Sequence, residues 1–145
     1  MAQSIKVEIK RQSNPNSPAT IEKFEVPYRP GMNITSLLGE IALNPVDVSG
    51  KPTTPVTYDS NCLEEICGSC AMLINGKAMM ACSALVDKLT GPNKDQTITL
   101  APLSKFPVVR DLSVDRSVRF ENLKKVKAWV PIDGTYDLGA GPRQF

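Results

Sequence analysis

All four cysteines of this 145-residue chain lie in the 22 residues from Asn61 to Cys82. Their spacing is Cys-x4-Cys-x2-Cys-x11-Cys, and the chain contains no histidine. A group that binds four sulfurs in so short a stretch also fixes the loops that carry them. The identity of that group is therefore the first question that the sequence raises about both fold and function.

A disulfide framework and a structural zinc site are two interpretations of this cysteine cluster. Structural disulfides belong to oxidising compartments, and the N-terminal sequence MAQSIKVEIK lacks the apolar segment of a signal peptide. Zinc sites built from thiolates usually present two Cys pairs on tight turns. Here three cysteines share one stretch, and eleven residues separate the third from the fourth. Both interpretations stay open as alternatives to an iron–sulfur cluster.

The spacing favours a [2Fe–2S] cluster. C-x4-C-x2-C followed by a more distant cysteine is the plant-type pattern, in which all four cluster ligands are thiolates. A Rieske centre needs two histidines, which this chain lacks, and the usual [4Fe–4S] run is C-x2-C-x2-C. The predicted metal ligands are Cys62, Cys67, Cys70 and Cys82.

The residues between these ligands agree with a cluster-binding loop. Gly68 permits close backbone approach and positive φ values, and Ser69 is small enough for a crowded site. We expect backbone support for the cluster from both residues, because N–H groups that donate to sulfur are one determinant of reduction potential. Glu64 and Glu65 are predicted to be solvated loop acids.

Periodicity in the rest of the chain predicts one α+β domain over residues 1–104. Alternating apolar residues indicate strands, helical spacing after the N-cap candidate Asn33 indicates one helix, and Asn75-Gly76 between apolar runs predicts a hairpin. Together these elements form a small mixed sheet packed on a helix. The predicted strands are 4–11, 21–26, 56–58, 71–74, 77–81 and 97–103, and the predicted helix is 32–45.

Residues 105–145 are expected to behave differently. Asp111 or Asp115 is predicted to cap a helix that reaches about Trp129, followed by an irregular tail rich in glycine and proline. One amphipathic helix cannot form a core alone. The segment should therefore pack on the first domain or begin a second one. The helix positions predicted to be buried are Leu112, Val118, Leu123, Val126 and Trp129.

Charge is unevenly distributed along the chain. Residues 1–104 carry nine Lys/Arg and ten Asp/Glu, a net charge of −1, whereas residues 105–129 carry seven and three, a net charge of +4. Such a basic stretch is typical of a solvated helix face, with an acidic partner, nucleic acid or a membrane surface as alternatives.

The chain carries no motif for bond-making chemistry. It has no histidine for a triad or a general base, and no GxGxxG or GxxxxGK[ST] loop for a nucleotide. No apolar run approaches the roughly 18–20 residues that span a bilayer. We therefore expect a cytoplasmic chain with no direct membrane span and no catalytic residues of its own. It should carry electrons and leave catalysis to another subunit.

Five stretches carry a family resemblance that covers nearly the whole chain: FEVPYRPGMNI, NCLEEICGSCAMLINGK, ACSALVDKL, FPVVRDLSVDRS and KVKAWVPIDGTYDLGAGPR. In them the chain closely resembles the N-terminal part of the iron–sulfur subunit of succinate dehydrogenase and fumarate reductase, as found in Gram-positive bacteria that use menaquinone. The resemblance implies a β-grasp, ferredoxin-like fold for residues 1–104. It also implies that Cys62 and Cys67 hold one iron, and Cys70 and Cys82 the other.

The resemblance further implies partners and cofactors. They are a flavoprotein subunit whose FAD handles succinate or fumarate, and a membrane-anchor cytochrome b that keeps the complex on the cytoplasmic face. No nucleic-acid partner is expected. Family members continue into a helical domain with [4Fe–4S] and [3Fe–4S] clusters. This chain stops at Phe145 before those cysteine motifs, so we expect it to be the N-terminal part of a longer subunit.

A free-standing [2Fe–2S] carrier between soluble enzymes is the alternative function. Such a carrier has no need of the basic stretch and the tail after residue 105.

Overall fold

The structure is a computed structural model and describes residues 3–128. The elements follow one another as strands β1 (Ser4–Arg11) and β2 (Thr20–Pro27), helix α1 (Ile34–Leu43), strands β3 (Ala71–Ile74) and β4 (Lys77–Met80), helix α2 (Val86–Thr90), strands β5 (Ile98–Ala101), β6 (Val108–Arg110) and β7 (Ser113–Val114), and helix α3 (Ser117–Lys125). Within the described residues, no helix is long and apolar enough to cross a membrane.

Five strands form one mixed sheet in the order β2-β1-β5-β3-β4. The central pair β1–β5 is parallel, and the pairs β1–β2, β3–β4 and β3–β5 are antiparallel. This mixed sheet with α1 confirms the predicted α+β, ferredoxin-like fold. A separate two-stranded ribbon joins β6 and β7.

The core lies between the sheet and α1. Alternation in β1 buries Ile5, Val7 and Ile9, as the period-two pattern predicts. The apolar stripe of α1 is also buried, and its members are Ile34, Leu37, Leu38 and Ile41.

Both ends of α1 agree with their predicted sequence signals. Asn33 is the N-cap, and its side chain accepts from the N–H of Ser36 while the Ser36 hydroxyl accepts from the N–H of Asn33. The helix ends before Asn44, its C-cap. The confirmed caps fix where the helix begins, which matters for the site described below.

The β3–β4 hairpin also forms as predicted. Asn75 and Gly76 at its turn have φ values of 49° and 78°. A type I′ turn needs positive φ at both positions, which Asn and Gly tolerate best.

The predicted strand at 56–58 is wrong. This segment makes isolated hydrogen bonds instead of a ladder: the N–H of Thr57 donates to the Asp111 carboxylate at 2.9 Å, and its C=O accepts from the N–H of Leu112 at 3.0 Å. The short helix α2 and the strands β6 and β7 were not predicted.

The predicted helix cap at Asp111 or Asp115 is also wrong. Asp111 lies between β6 and β7 with a φ of 48°, and its buried carboxylate accepts from Arg11, Gln12 and Thr57. Helix α3 begins only at Ser117, and its N-cap residue is Arg116 and neither of the two aspartates. The Asp111 carboxylate cannot cap a helix, because its oxygens already accept hydrogen bonds from residues of the first domain.

Burial of the predicted C-terminal helix positions differs from expectation. Leu112 is buried, but it lies between β6 and β7 and not in a helix. Val118, Leu123 and Val126 are exposed. Trp129 lies outside the described residues.

The chain divides into two compact units, Met1–Asp115 and Arg116–Phe145. The first extends past the predicted boundary at residue 104. The reason is that the β6–β7 ribbon buries Leu112 and Val114 and is hydrogen-bonded to the first domain through Asp111. That residues 105–145 begin a second domain stays a prediction.

Candidate iron–sulfur centre

The β3–β4 hairpin brings Cys70 and Cys82 together. Beyond the last paired residues, the N–H of Ala81 donates to the C=O of Cys70 at 3.2 Å, which extends the ladder by one step. Cys70 and Cys82 therefore leave the open end of the hairpin side by side. Both are buried, at 3% and 7% exposure.

The N-terminus of α1 fixes the segment that carries Cys82. The Asn33 side-chain amide donates to the C=O of Cys82 at 2.8 Å, and the N–H of Ile34 donates to the C=O of Ala84 at 3.1 Å. The helix cap and the fourth cysteine are thus one hydrogen-bonded unit. The sequence predicts Asn33 as a cap but contains no signal for its contact with a residue 49 positions away.

The loop after Asn61 wraps around the sulfur of Cys62. Three main-chain N–H groups point at this sulfur, from Glu64 at 3.4 Å, Ile66 at 3.4 Å and Cys67 at 3.3 Å. These three N–H groups hold the sulfur of Cys62 inside the loop.

Positive φ values bend this loop back on itself. Leu63 has a φ of 61°, Glu65 of 60° and Gly68 of 73°. The turn at Glu65 aims its N–H at the sulfur of Cys82, at 3.3 Å. Glycine adopts such a φ without strain, so Gly68 suits the bend at this position, and its support of a cluster stays a prediction. The Glu65 side chain is exposed, as the prediction of a solvated acid requires.

The four thiols fall into two adjacent pairs. The N–H of Cys67 donates to the sulfur of Cys62 at 3.3 Å, and Cys70 and Cys82 lie side by side at the open end of the hairpin. The second pair is buried, whereas Cys67 is exposed and Cys62 half-buried. One pair therefore faces the interior and the other faces solvent.

Cys67 and Cys82 also differ in acidity. Hydrogen bonds from Ser69 and Cys62 lower the pKa of Cys67 to about 6, with the Ser69 hydroxyl as the largest cause. Burial raises the pKa of Cys82. The thiolate is the form that binds metal, so Cys67 reaches that form more readily at neutral pH than Cys82 does.

Residues 6–121 match the family profile of the 2Fe-2S iron–sulfur cluster binding domain. The chain belongs to this family. This [2Fe–2S] domain is 58% identical over 140 residues to the succinate dehydrogenase iron–sulfur subunit of Bacillus subtilis, covering 97% of the chain and 53% of that protein. It is 32% identical over 118 residues to the fumarate reductase iron–sulfur subunit of Wolinella succinogenes, covering 81% of the chain and 45% of that protein.

A solved structure shares the fold of this [2Fe–2S] domain. The Mycobacterium smegmatis Sdh1 complex in the apo form contains a chain that superposes with a TM-score of 0.76 at 23% identity, covering 100% of this chain and 54% of that one. The chain spans about half the length of the curated relatives it matches.

The donor set of the [2Fe–2S] domain fits the cluster that names its family. Within residues 3–128, no three Cys, Asp or Glu side chains lie close enough together to bind a single metal ion. A two-iron cluster with four protein thiolates needs only two on each iron, and the two thiol pairs match that requirement. That Cys62 and Cys67 hold one iron, and Cys70 and Cys82 the other, stays a prediction from the family resemblance.

Sequence reasoning missed one functional group in this [2Fe–2S] domain. Ser69 was predicted to give backbone support, and its N–H does lie 3.4 Å from the Cys67 sulfur. Its hydroxyl oxygen lies at the same distance from that sulfur. The signal was present, because serine two residues after a ligand is well placed to reach back to it.

Proposed function

We propose that this chain is the [2Fe–2S] part of the iron–sulfur subunit of a succinate dehydrogenase or fumarate reductase. It relays electrons between an FAD-containing flavoprotein subunit and further clusters that lead to quinone. The observation that carries the proposal is the convergence of the cysteine loop on the open end of the hairpin: loop N–H groups point at the sulfurs of Cys62 and Cys82, and the hairpin ladder ends at Cys70. The 58% identity to the Bacillus subtilis subunit supports the assignment to this enzyme class.

The ligands in this proposal are the four cysteine sulfurs, Cys62 and Cys67 on one iron and Cys70 and Cys82 on the other. When bound, the cluster supplies one-electron acceptance and release. The chain contributes a rigid frame for it: the hairpin and the N-terminus of α1 hold the buried pair, and the loop N–H groups hold Cys62. A rigid, partly dry frame limits the rearrangement that accompanies each electron transfer.

The cysteine loop also offers a surface for the partner that donates or receives electrons. Leu63 and Ile66 are 57% and 77% exposed, on either side of two acidic residues and close to the exposed Cys67. Exposed apolar side chains grouped at a functional loop are typical of a protein interface. We assign this loop to the contact with the flavoprotein subunit.

The other partners and cofactors are proposed from the family of the relatives that the chain matches. A membrane-anchor cytochrome b would hold the complex on the cytoplasmic face of the membrane, with this chain peripheral to it. The [4Fe–4S] and [3Fe–4S] clusters would lie in the part of the relatives that this chain does not match. The chain has no catalytic residues in this scheme, because succinate chemistry takes place at the flavin.

Low-temperature EPR on the purified 145-residue chain tests the cluster. After dithionite reduction we expect a rhombic signal with an average g value below that of the free electron, at about one spin per chain, and about two irons and two sulfides. A colourless, EPR-silent protein that stays so after reconstitution with iron and sulfide would contradict the proposal. The four thiols would then be reassigned to zinc.

A further inference from the structure

Two polar atoms of Ser69 lie at the same sulfur, and in the chain without a cluster the Cys67 thiol donates to the Ser69 hydroxyl oxygen. Its hydroxyl oxygen and its main-chain nitrogen are both 3.4 Å from the Sγ of Cys67. The backbone turn explains this convergence: Gly68 has a φ of 73°, and the N–H of Ala71 donates to the C=O of Gly68 at 3.1 Å. Ser69 is half-buried within this turn, so its side chain is held beside the sulfur.

We propose that the Ser69 hydroxyl raises the reduction potential of the centre by donating a hydrogen bond to the Cys67 sulfur. The inference rests on the four-cysteine site proposed above. A thiolate that binds iron has no proton to give, so at this contact the hydroxyl must be the donor and the sulfur the acceptor.

The sign of the effect follows from charge. Reduction adds one negative charge to the centre, and part of that charge resides on the cysteine sulfurs. A hydrogen bond to sulfur stabilises the more negative state more than the less negative one. Loss of the hydroxyl should therefore make the centre harder to reduce.

The hydroxyl differs from the other donors at the site in being removable. The groups that point at Cys62 and Cys82 are main-chain N–H groups, which any residue supplies. The Ser69 hydroxyl depends on the identity of one side chain. It is therefore a contact through which the sequence adjusts the potential without rebuilding the loop.

Cys67 is exposed, so solvent moderates the size of the effect. For Ser69→Ala we expect the reduced-to-oxidised ratio at a fixed potential to fall roughly three- to tenfold, which is about 30–60 mV for a one-electron couple. Ser69→Thr keeps the hydroxyl, so its reduction potential should stay close to that of the parent chain.

The experiment is a redox titration of the 145-residue chain, followed by absorbance and by EPR spin quantification. Ser83→Ala is the matched control. Ser83 directly follows the ligand Cys82, but its hydroxyl donates to the C=O of Met80 at 3.3 Å and not to a cysteine sulfur. We expect no change in potential for this variant. An unchanged potential in Ser69→Ala, or an equal fall in Ser83→Ala, would overturn the inference.

A second pair of variants guards against loss of the cluster in Ser69→Ala. Ser69→Thr and Ser69→Val have nearly the same shape and differ in the hydroxyl, so the valine variant should have the lower potential. If every hydroxyl-free variant fails to hold a cluster while Ser69→Thr holds one, the hydroxyl serves assembly and the inference is wrong as stated.

Failure of the inference and failure of the proposed function have different signatures. A parent chain without stoichiometric iron and sulfide would contradict the four-cysteine site itself. A loaded parent chain whose potential is insensitive to residue 69 would leave the site in place and remove only the role of the hydroxyl.

Discussion

The four predicted ligands have different surroundings at the scale of single residues. Cys70 and Cys82 are held by the hairpin and by α1, away from water. Cys62 is surrounded by main-chain N–H groups, and Cys67 is exposed with a hydroxyl beside it. A substitution at each position should therefore affect the fold and the cluster to different degrees.

Cys67→Ala should abolish assembly of a stoichiometric cluster while leaving the fold intact. The variant leaves three protein thiolates for a centre that takes four, but Cys67 is exposed and contributes little to the core. Iron and sulfide analysis measures assembly, and far-UV circular dichroism checks the fold. Ile66→Ala, at the neighbouring exposed position, is the control and should load normally. Full iron and sulfide content in Cys67→Ala would show that the ligand assignment is wrong.

Sequence alone could predict these four residues because their spacing is a local pattern. It could not predict their unequal environments, since these depend on tertiary contacts. The bond from Asn33 to Cys82, for example, spans 49 positions. The hydroxyl of Ser69 is an intermediate case, because its partner is only two residues away.

At the scale of elements, a buried ion pair joins the end of β1 to the β6–β7 ribbon. The Arg11 guanidinium donates to the Asp111 carboxylate at 3.0 Å and to Glu22 at 2.6 Å. The other Asp111 oxygen accepts from the N–H of Thr57 at 2.9 Å. Three distant segments therefore meet at one carboxylate.

The surroundings of Asp111 make stability depend on pH. Burial alone would raise the pKa of this carboxyl, but hydrogen bonds from Arg11, Thr57 and Gln12 outweigh burial and hold the pKa below its usual range. Folding lowers the pKa of this carboxyl, so its ionised form stabilises the folded state. The full contribution is present at pH values above the pKa of the unfolded chain, about 4. That contribution should disappear as the pH falls below 4 and through the lower pKa of the folded state.

Asp111→Asn should therefore destabilise the chain at neutral pH by about 3 kcal/mol. This is the lower end of the range for breaking a buried pair, because Arg11 keeps Glu22 as a partner. The difference from the parent chain should shrink in acid. Urea denaturation at pH 7 and near pH 3 measures both effects. Asp59→Asn is the control, since the exposed Asp59 accepts from the Ser113 hydroxyl of the ribbon and is not part of the buried ion pair. A loss that is equal at both pH values would contradict the linkage.

The sequence predicts most directly those strands and helices that are long and have a regular pattern of apolar residues. The eight-residue strand β1 and the ten-residue helix α1 bury regular stripes and carry end signals, so their patterns were readable. The five-residue helix α2 and the two-residue strand β7 are too short to show a period. Asp111 resembled a helix cap because Asp is common there, whereas its partner Arg11 is 100 residues away.

At the scale of the whole molecule, the exposed cysteine loop and the basic C-terminal stretch are the two surfaces that a partner could recognise. The loop presents Leu63 and Ile66, and residues 105–129 carry a net charge of +4. Their contributions differ in kind, since apolar contact persists in salt and charge attraction is screened.

Ile66→Asp should weaken binding to a flavoprotein subunit of the Bacillus subtilis type at least tenfold. It buries a charge in an apolar contact, which costs more than 1.4 kcal/mol. Calorimetry or surface plasmon resonance measures the affinity. Ile21→Asp is the control, because Ile21 is 57% exposed on β2 and outside the cysteine loop. Equal losses for both variants would remove the loop from the interface.

The same binding measured at rising ionic strength tests the basic stretch. If it contributes to docking, affinity should fall as salt rises from 0.05 M to about 0.5 M. Affinity that does not depend on salt would identify the charge as a solvated face. A chain that exchanges electrons only with soluble enzymes, and does so unchanged without residues 116–145, would favour the free-standing carrier.

The exposure of Cys67 beside three sheltered or half-sheltered sulfurs gives the site a vulnerable side. Peroxide and chelators in solution reach the edge at Cys67 before they reach the hairpin, and a thiolate released there is the one most open to oxidation. After Cys62 and Cys67 had lost their bonds to iron, backbone hydrogen bonds would still hold Cys70 and Cys82 together. Damage to this centre should thus begin at the exposed Cys67 side, and reassembly would start from a buried pair whose backbone has kept its geometry.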